Sequence, residues 1–110
     1  MEAPVLQQFP KDVLTLYFFY RDDIMDKIQK SSKRWDVFRM IKLDLTVLKL
    51  AVTEMVYCDD IPVAVAINEA VSLSKKYSGE DSYKFINGIL KQITIDQKEE
   101  KVELSNDSNA

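Results

Sequence analysis

Charged and aromatic side chains gather around one glycine-containing turn, "KKYSGEDSYKF", which covers residues 75–85. The ammonium groups of Lys75, Lys76 and Lys84 could each contact a phosphate, the commonest polar contact that proteins make with nucleic acids. Each residue also has a simpler role. Lys75 and Lys76 suit the negative end of the helix that they close, and Asp81 suits the cap of the helix that follows. A phosphate contact is therefore the secondary interpretation for Lys75 and Lys76, and an exposed lysine such as Lys84 is more often simply solvated.

Two features that enzymes commonly use, histidine and a glycine-rich phosphate loop, are missing from the sequence. The chain contains no histidine, and so lacks the usual general base and the commonest metal ligand. It has no glycine-rich phosphate loop. The one cysteine, Cys58, precedes two aspartates and has no basic neighbour that would lower the pKa of its thiol. We therefore expect no enzymatic activity, no cofactor and no metal. A single cysteine, which cannot form an internal disulfide, favours a cytoplasmic protein.

Charge is unevenly distributed along the chain. The net charge is −3, and residues 95–110 carry two basic and five acidic groups, so the remaining residues sum to zero. No segment forms a basic patch that could hold a nucleic acid by charge alone. If this protein binds RNA, its charge predicts weak binding in isolation.

Apolar residues at helical spacing predict an all-α fold. An amphipathic helix is expected over residues 12–29, a turn and a short helical segment over 31–40, and the strongest helix over 43–58. Pro62 suits the start of the next helix, and Gly79 suits its end. The polar residues of the strongest helix lie outside its apolar spacing and are expected away from the core: Asp44, Lys49, Thr53 and Glu54. The last two helices are expected to bury Val65, Ile67, Ala70, Val71, Leu73, Phe85, Ile86, Ile89, Leu90 and Ile93.

The length of 110 residues indicates a single domain. Residues 1–10 contain two prolines and read as a loose lead-in, and residues 11–95 form the helical domain. Residues 96–110 are polar and acidic, a composition typical of a disordered tail. Trp35 and Phe38, three positions apart, are expected to pack against the core. No apolar run is long enough to predict a membrane span.

The segment "VLKLAVTEMVYCDDIPVAVAINEAVSLSKKYSGEDSYKFINGIL", residues 47–90, closely resembles the C-terminal half of the NusB transcription antitermination family. The shared pattern is an "L-A-x-x-E-[LM]" run, a "D-[IV]-P" turn, "V-A-I-N-E-A" and "E-D-S-x-[KR]-F-[IV]-N-G-[IV]-L", in that order. A weaker similarity extends back to about Asp12. The resemblance implies a NusB-like helical bundle that is shortened at its N-terminus, since the family's arginine-rich N-terminal helices have no counterpart here.

The resemblance also implies partners. Members of the family pair with NusE, a small-subunit ribosomal protein, and the pair binds the single-stranded boxA element of nascent RNA. The complex helps RNA polymerase to resist termination, chiefly on ribosomal RNA operons. Two alternatives remain open: an accessory RNA-binding domain of a ribosomal RNA cytosine methyltransferase, and a protein-binding remnant without RNA affinity.

The resemblance assigns roles to individual residues as well. Asp44 and Asp81 are implied to face the protein partner, although Asp44 could simply be the acidic residue that opens its helix. Phe85 is implied to stack on a base, although its place in the apolar stripe equally predicts core packing. The residues expected to bind RNA are Asp81, Ser82, Lys84, Phe85, Lys75 and Lys76.

Overall fold

A computed structural model of the chain describes residue 9, residues 11–32 and residues 42–109. These residues form four helices and no strand: α1 (Lys11–Ser31), α2 (Lys42–Tyr57), α3 (Val63–Tyr77) and α4 (Glu80–Asn109). The predicted all-α fold is therefore confirmed. The expectations for residues 1–8, for the segment 33–41 and for Trp35 and Phe38 lie outside the described residues, and the proposed domain limits stay predictions.

Helix α2 is the centre of the bundle, since it contacts each of the other three helices. Its apolar residues Val47, Leu48, Ala51 and Val52 are at most 1 % exposed, as their spacing predicts. Phe9, from the segment predicted as a loose lead-in, is also buried in the core. The other buried apolar residues of the described core are Val13, Ile24, Ile28, Leu50, Ala66, Ala70, Ile86, Ile89, Leu90 and Ile93.

Two expectations about burial are wrong. Asp44, Thr53 and Glu54 of α2 are buried, because a helix with neighbours on several sides has little surface left for its polar residues. Thr53 is satisfied locally, since its hydroxyl donates to the Lys49 carbonyl oxygen at 2.7 Å. Val65 was expected in the core but is 44 % exposed, whereas its neighbour Ala66 is buried.

Helix α1 is kinked at Tyr20, where φ is −110° and ψ is 19°. The Tyr20 ring stacks on the Tyr57 ring of α2, with centroids 3.9 Å apart and planes at 6°. The Tyr57 hydroxyl donates a hydrogen bond to Oδ2 of Asp23. Burial, together with this carboxylate, raises the pKa of Tyr57. An aromatic stack and a hydrogen bond thus hold α1 against the end of α2.

The connection from α2 to α3 is built around Pro62. This residue has φ −60° and ψ 140° and precedes the first residue of α3, as predicted. Its carbonyl oxygen accepts hydrogen bonds from the N–H groups of Val65 and Ala66, at 3.0 and 3.1 Å. Proline has no N–H group to leave unpaired at a helix start, so Pro62 suits this position.

The C-terminal part of the chain differs from the expectation of a disordered tail from residue 96. Helix α4 continues through to Asn109. Residues 96–103 are rich in glutamine, lysine and glutamate, which are good helix formers, and extending an existing helix avoids the cost of nucleation. Asp96 also ties this part to α1, because the Ser31 hydroxyl donates to its Oδ2 at 3.4 Å. No helix in the described part of the chain is long and apolar enough to cross a membrane.

Gly79→Ala should destabilise the domain by about 1–2 kcal/mol, because a side chain disfavours a positive φ. Gly79 has φ +114°, and a Cβ placed there would meet no atom within 4 Å, so the cost is one of backbone conformation alone. Urea unfolding of both proteins measures the difference. Ser78→Ala is the matched control in the same turn, with φ −113°, and should be nearly neutral. Equal stability of Gly79→Ala and wild type would contradict the assigned conformation.

Candidate functional site

The turn between α3 and α4 places the end of one helix beside the start of the next. The N–H groups of Ser78 and Gly79 both donate to the Ser74 carbonyl oxygen, at 2.8 and 3.1 Å, and end helix α3. Gly79 then reverses the chain, and α4 begins at Glu80. The sequence predicted this turn correctly. We define the α3–α4 corner as residues 75–85.

Most of the predicted RNA-binding residues at the corner are accessible. Lys75, Lys76, Asp81 and Lys84 are exposed, and Ser82 is half-buried. Asp81 lies in the first turn of α4 and not before it, so its negative charge can interact favourably with the positive end of the helix dipole. The corner therefore presents the ammonium groups of Lys75, Lys76 and Lys84 and the carboxylate of Asp81 to solvent.

Phe85 occupies a different environment from these charged residues. Its ring is half-buried and packs against the hydrophobic core. The core-packing interpretation given by its apolar spacing is therefore confirmed. Only part of the ring is left to face a ligand at the surface.

Asp44 and Ser82 form a polar contact between the first turns of α2 and α4. The Ser82 hydroxyl donates to Oδ2 of Asp44 at 2.9 Å. Asp44 is only 2 % exposed, and its Oδ1 has no hydrogen-bond partner among the described residues. The structure thus joins two residues that the sequence had assigned separately to partner and RNA binding. It also buries Asp44 beneath the corner.

Two tyrosines that the sequence analysis did not single out also belong to the corner. Nζ of Lys75 lies 4.5 Å from the centroid of the Tyr83 ring, across the turn. Nζ of Lys76 lies 5.2 Å from the centroid of the neighbouring Tyr77 ring. Each pair has the geometry of a cation–π interaction. The available sequence signal was the interleaving of lysine and tyrosine on both sides of Gly79.

Outside the corner, Glu54 of α2 is a second buried carboxyl group. It is 2 % exposed, and its Oε1 has no hydrogen-bond partner in the described part of the chain. Burial, and then the negative charge of Glu69 on α3, raise the pKa of Glu54 to about 7. Burial and nearby carboxylates, Glu54 first among them, also raise the pKa of the Cys58 thiol. A raised pKa makes Cys58 a poor nucleophile at neutral pH.

The chain matches a known protein family. The model of the NusB family matches residues 4–94. The chain is 48 % identical over 87 residues to "Transcription antitermination protein NusB" of Acetivibrio thermocellus, covering 79 % of this chain and 60 % of that protein. It is 46 % identical over 83 residues to the protein of the same name from Finegoldia magna, covering 76 % of this chain and 61 % of the relative.

A third relative of that name, from Geotalea daltonii, is 54 % identical over 67 residues. That match covers 61 % of this chain and 46 % of the relative. The chain thus spans about half to three-fifths of the length of the curated relatives that it matches.

Proposed function

Because this chain belongs to the NusB family, we propose that it is a non-enzymatic, RNA-binding transcription antitermination module. In this proposal it works in the cytoplasm, pairs with the ribosomal protein NusE and binds boxA-type single-stranded RNA. The pair acts within the antitermination complex of RNA polymerase on ribosomal RNA operons.

The observation that carries the proposal is the arrangement of the α3–α4 corner. The last turn of α3 supplies Lys75 and Lys76, and the first turns of α4 supply Lys84. All three are exposed, so their ammonium groups can reach phosphates without a change of fold. Phosphate contacts position a nucleic acid on a protein surface, and three exposed lysines on two adjoining helix ends support that role for the corner.

The remaining proposed roles follow from what each side chain touches. Ser82 offers its hydroxyl at the edge of the RNA surface, and the partly exposed ring of Phe85 lies one turn further along α4. Asp81 is exposed and can face both RNA and NusE. Asp44 is buried, so its influence on NusE binding passes through its hydrogen bond to Ser82 and the first turn of α4.

Charge explains why the proposal includes a protein partner. The overall charge of −3 leaves no excess of cations to neutralise a phosphate backbone. RNA affinity falls with salt in proportion to the number of neutralised phosphates. The isolated protein should therefore bind RNA weakly and with a shallow salt dependence, and a basic partner would supply positive charge and a shared surface.

A titration of fluorescein-labelled boxA RNA, with and without NusE, tests the proposal. We expect weak binding by the chain alone and clearly tighter binding when NusE is present. Within the complex, Lys84→Gln should weaken binding several-fold and reduce the slope of log K against log salt by about 0.7, because one phosphate contact is lost. Fluorescence anisotropy at three salt concentrations measures both quantities.

Lys98→Gln is the matched control for this titration. Lys98 is exposed on the same helix, about 21 Å beyond Lys84 along its axis. Its substitution should leave affinity and salt dependence unchanged. RNA binding without any gain from NusE would favour the methyltransferase accessory-domain interpretation. If no RNA binding is seen with or without NusE, the result would favour the interpretation of the chain as a protein-binding remnant without RNA affinity.

A further inference from the structure

The rings of the two lysine–tyrosine pairs at the α3–α4 corner lie outside the described core cluster. Phe85, Tyr17 and Tyr57 pack against the described core, but that core cluster does not include Tyr77 or Tyr83. Tyr77 is 37 % exposed, and Tyr83 is half-buried between the exposed side chains of the corner. Core packing therefore does not account for these two rings.

Each ring is placed where a single-stranded nucleic acid could use it. Tyr83 lies between Ser82 and Lys84 in the chain. Nζ of Lys75 lies over its ring, 4.5 Å from the centroid. Tyr77 lies on the other side of Gly79. Nζ of Lys76 lies over its ring, 5.2 Å from the centroid. Aromatic rings next to cations suit single strands, because bases stack on the rings while phosphates meet the charges.

We infer that Tyr83 and Tyr77 are base-stacking residues of the corner, which bind two unpaired bases of single-stranded RNA. The inference rests on the proposed RNA-binding function and adds the residues that hold the bases. In the free protein the two lysines cover the rings. When RNA binds, each ammonium group moves to a phosphate, and the face of its tyrosine ring becomes free to stack on a base. The half-buried Phe85 supports this surface from the core side.

The stacking role predicts a pattern that a purely structural role would not give. Stacking is worth about 5-fold to 100-fold in affinity per base and needs a ring, not a hydroxyl group. Tyr83→Leu and Tyr77→Leu should therefore each weaken boxA RNA binding by at least about 5-fold in the presence of NusE. Tyr83→Phe should stay within about 2-fold of wild type, since it keeps the ring. The slope of log K against log salt should not change in the leucine variants, because no phosphate contact is removed.

The matched control is Tyr17→Leu. Tyr17 belongs to a third cation–π pair, with Nζ of Lys49 at 5.7 Å, but it lies on α1 and its cation on α2. Its substitution should leave RNA affinity within about 2-fold of wild type, because it removes a ring and a cation–π contact away from the corner. Thermal unfolding of each variant verifies that the affinities refer to folded protein. Tyr83→Phe and Tyr77→Leu keep the test decisive if Tyr83→Leu fails to fold.

The inference and the proposed function fail in different ways. If the wild type binds RNA with NusE while both leucine variants match it, the stacking role is overturned and the proposed function stands. If Tyr83→Phe weakens binding as much as Tyr83→Leu, the ring is not what holds the RNA, and the inference is again overturned. If the wild type shows no RNA affinity with or without NusE, the proposed function and the inference fall together.

Discussion

Glu54→Gln should stabilise the protein by about 3 kcal/mol at pH 8 and by less than about 1 kcal/mol at pH 5. Glu54 is buried in α2 with Oε1 unpartnered among the described residues, and Glu69 on α3 adds a negative charge nearby. An ionised carboxylate in this position is unfavourable, whereas a neutral amide of the same shape avoids that cost. Urea unfolding between pH 5 and pH 8 measures the difference.

The sign follows from the direction of the pKa shift. Burial and the Glu69 charge raise the pKa of Glu54 from 4.5 to about 7 in the folded protein. The folded state therefore holds its proton where the unfolded chain has released it. The stability that comes from the neutral carboxyl group is fully present below pH 4.5 and is lost as the pH rises through about 7. Glutamine does not ionise, so the variant keeps its stability across this window.

Two further variants test whether the pH-dependent change in stability comes from Glu54. Glu69→Gln removes the charge that opposes ionisation of Glu54, so it should also stabilise the protein at pH 8, by less than Glu54→Gln. Glu99→Gln, at an exposed position of α4, should change the free energy of unfolding by less than about 0.5 kcal/mol at either pH. A Glu54→Gln stability difference that is the same at pH 5 and pH 8 would show that Glu54 does not titrate in this range.

Ser82→Ala should destabilise the protein by about 1.5–3 kcal/mol, the usual cost of removing a hydrogen bond to a buried charged group. The Ser82 hydroxyl donates to Oδ2 of Asp44 at 2.9 Å, and Oδ1 of Asp44 already lacks a partner within the described residues. Asp44 is only 2 % exposed, so water cannot easily replace the lost donor, and the Asp44 carboxylate would be left buried without this hydrogen bond. Urea unfolding at pH 7 measures the loss.

A double-mutant cycle separates this contact from other effects of the substitutions. Asp44→Ala and Ser82→Ala should be less than additive, with a coupling energy of about 1–2 kcal/mol. Ser72→Ala, at an exposed site on α3, should stay within about 0.5 kcal/mol of wild type. Additive losses in the cycle would show that the two side chains do not interact. RNA titrations of Ser82→Ala should be made well below its melting temperature, so that binding and stability are not confused.

The family and the helices could be predicted from local sequence. Apolar spacing placed α2, α3 and α4, and Pro62 and Gly79 marked the limits of α3, because each of these signals acts within a few residues. The NusB motifs in residues 47–90 identified the family, and the family model then matched residues 4–94. The end of α4 was missed, because a polar composition typical of disorder is also compatible with a helix that has already formed.

Burial of polar groups was decided by the tertiary structure alone. The sequence placed Asp44 and Glu54 outside the core because a helical repeat shows one apolar face. It could not show that α1, α3 and α4 all pack around α2. In the same way, Ser82 meets Asp44 across 38 positions, and Lys75 meets Tyr83 across a turn. Such contacts depend on the angle at which two helices meet, and no local pattern of residue types sets that angle. The sequence by itself therefore determined the helices and the family, while the packing of the helices decided which of their polar groups form a site.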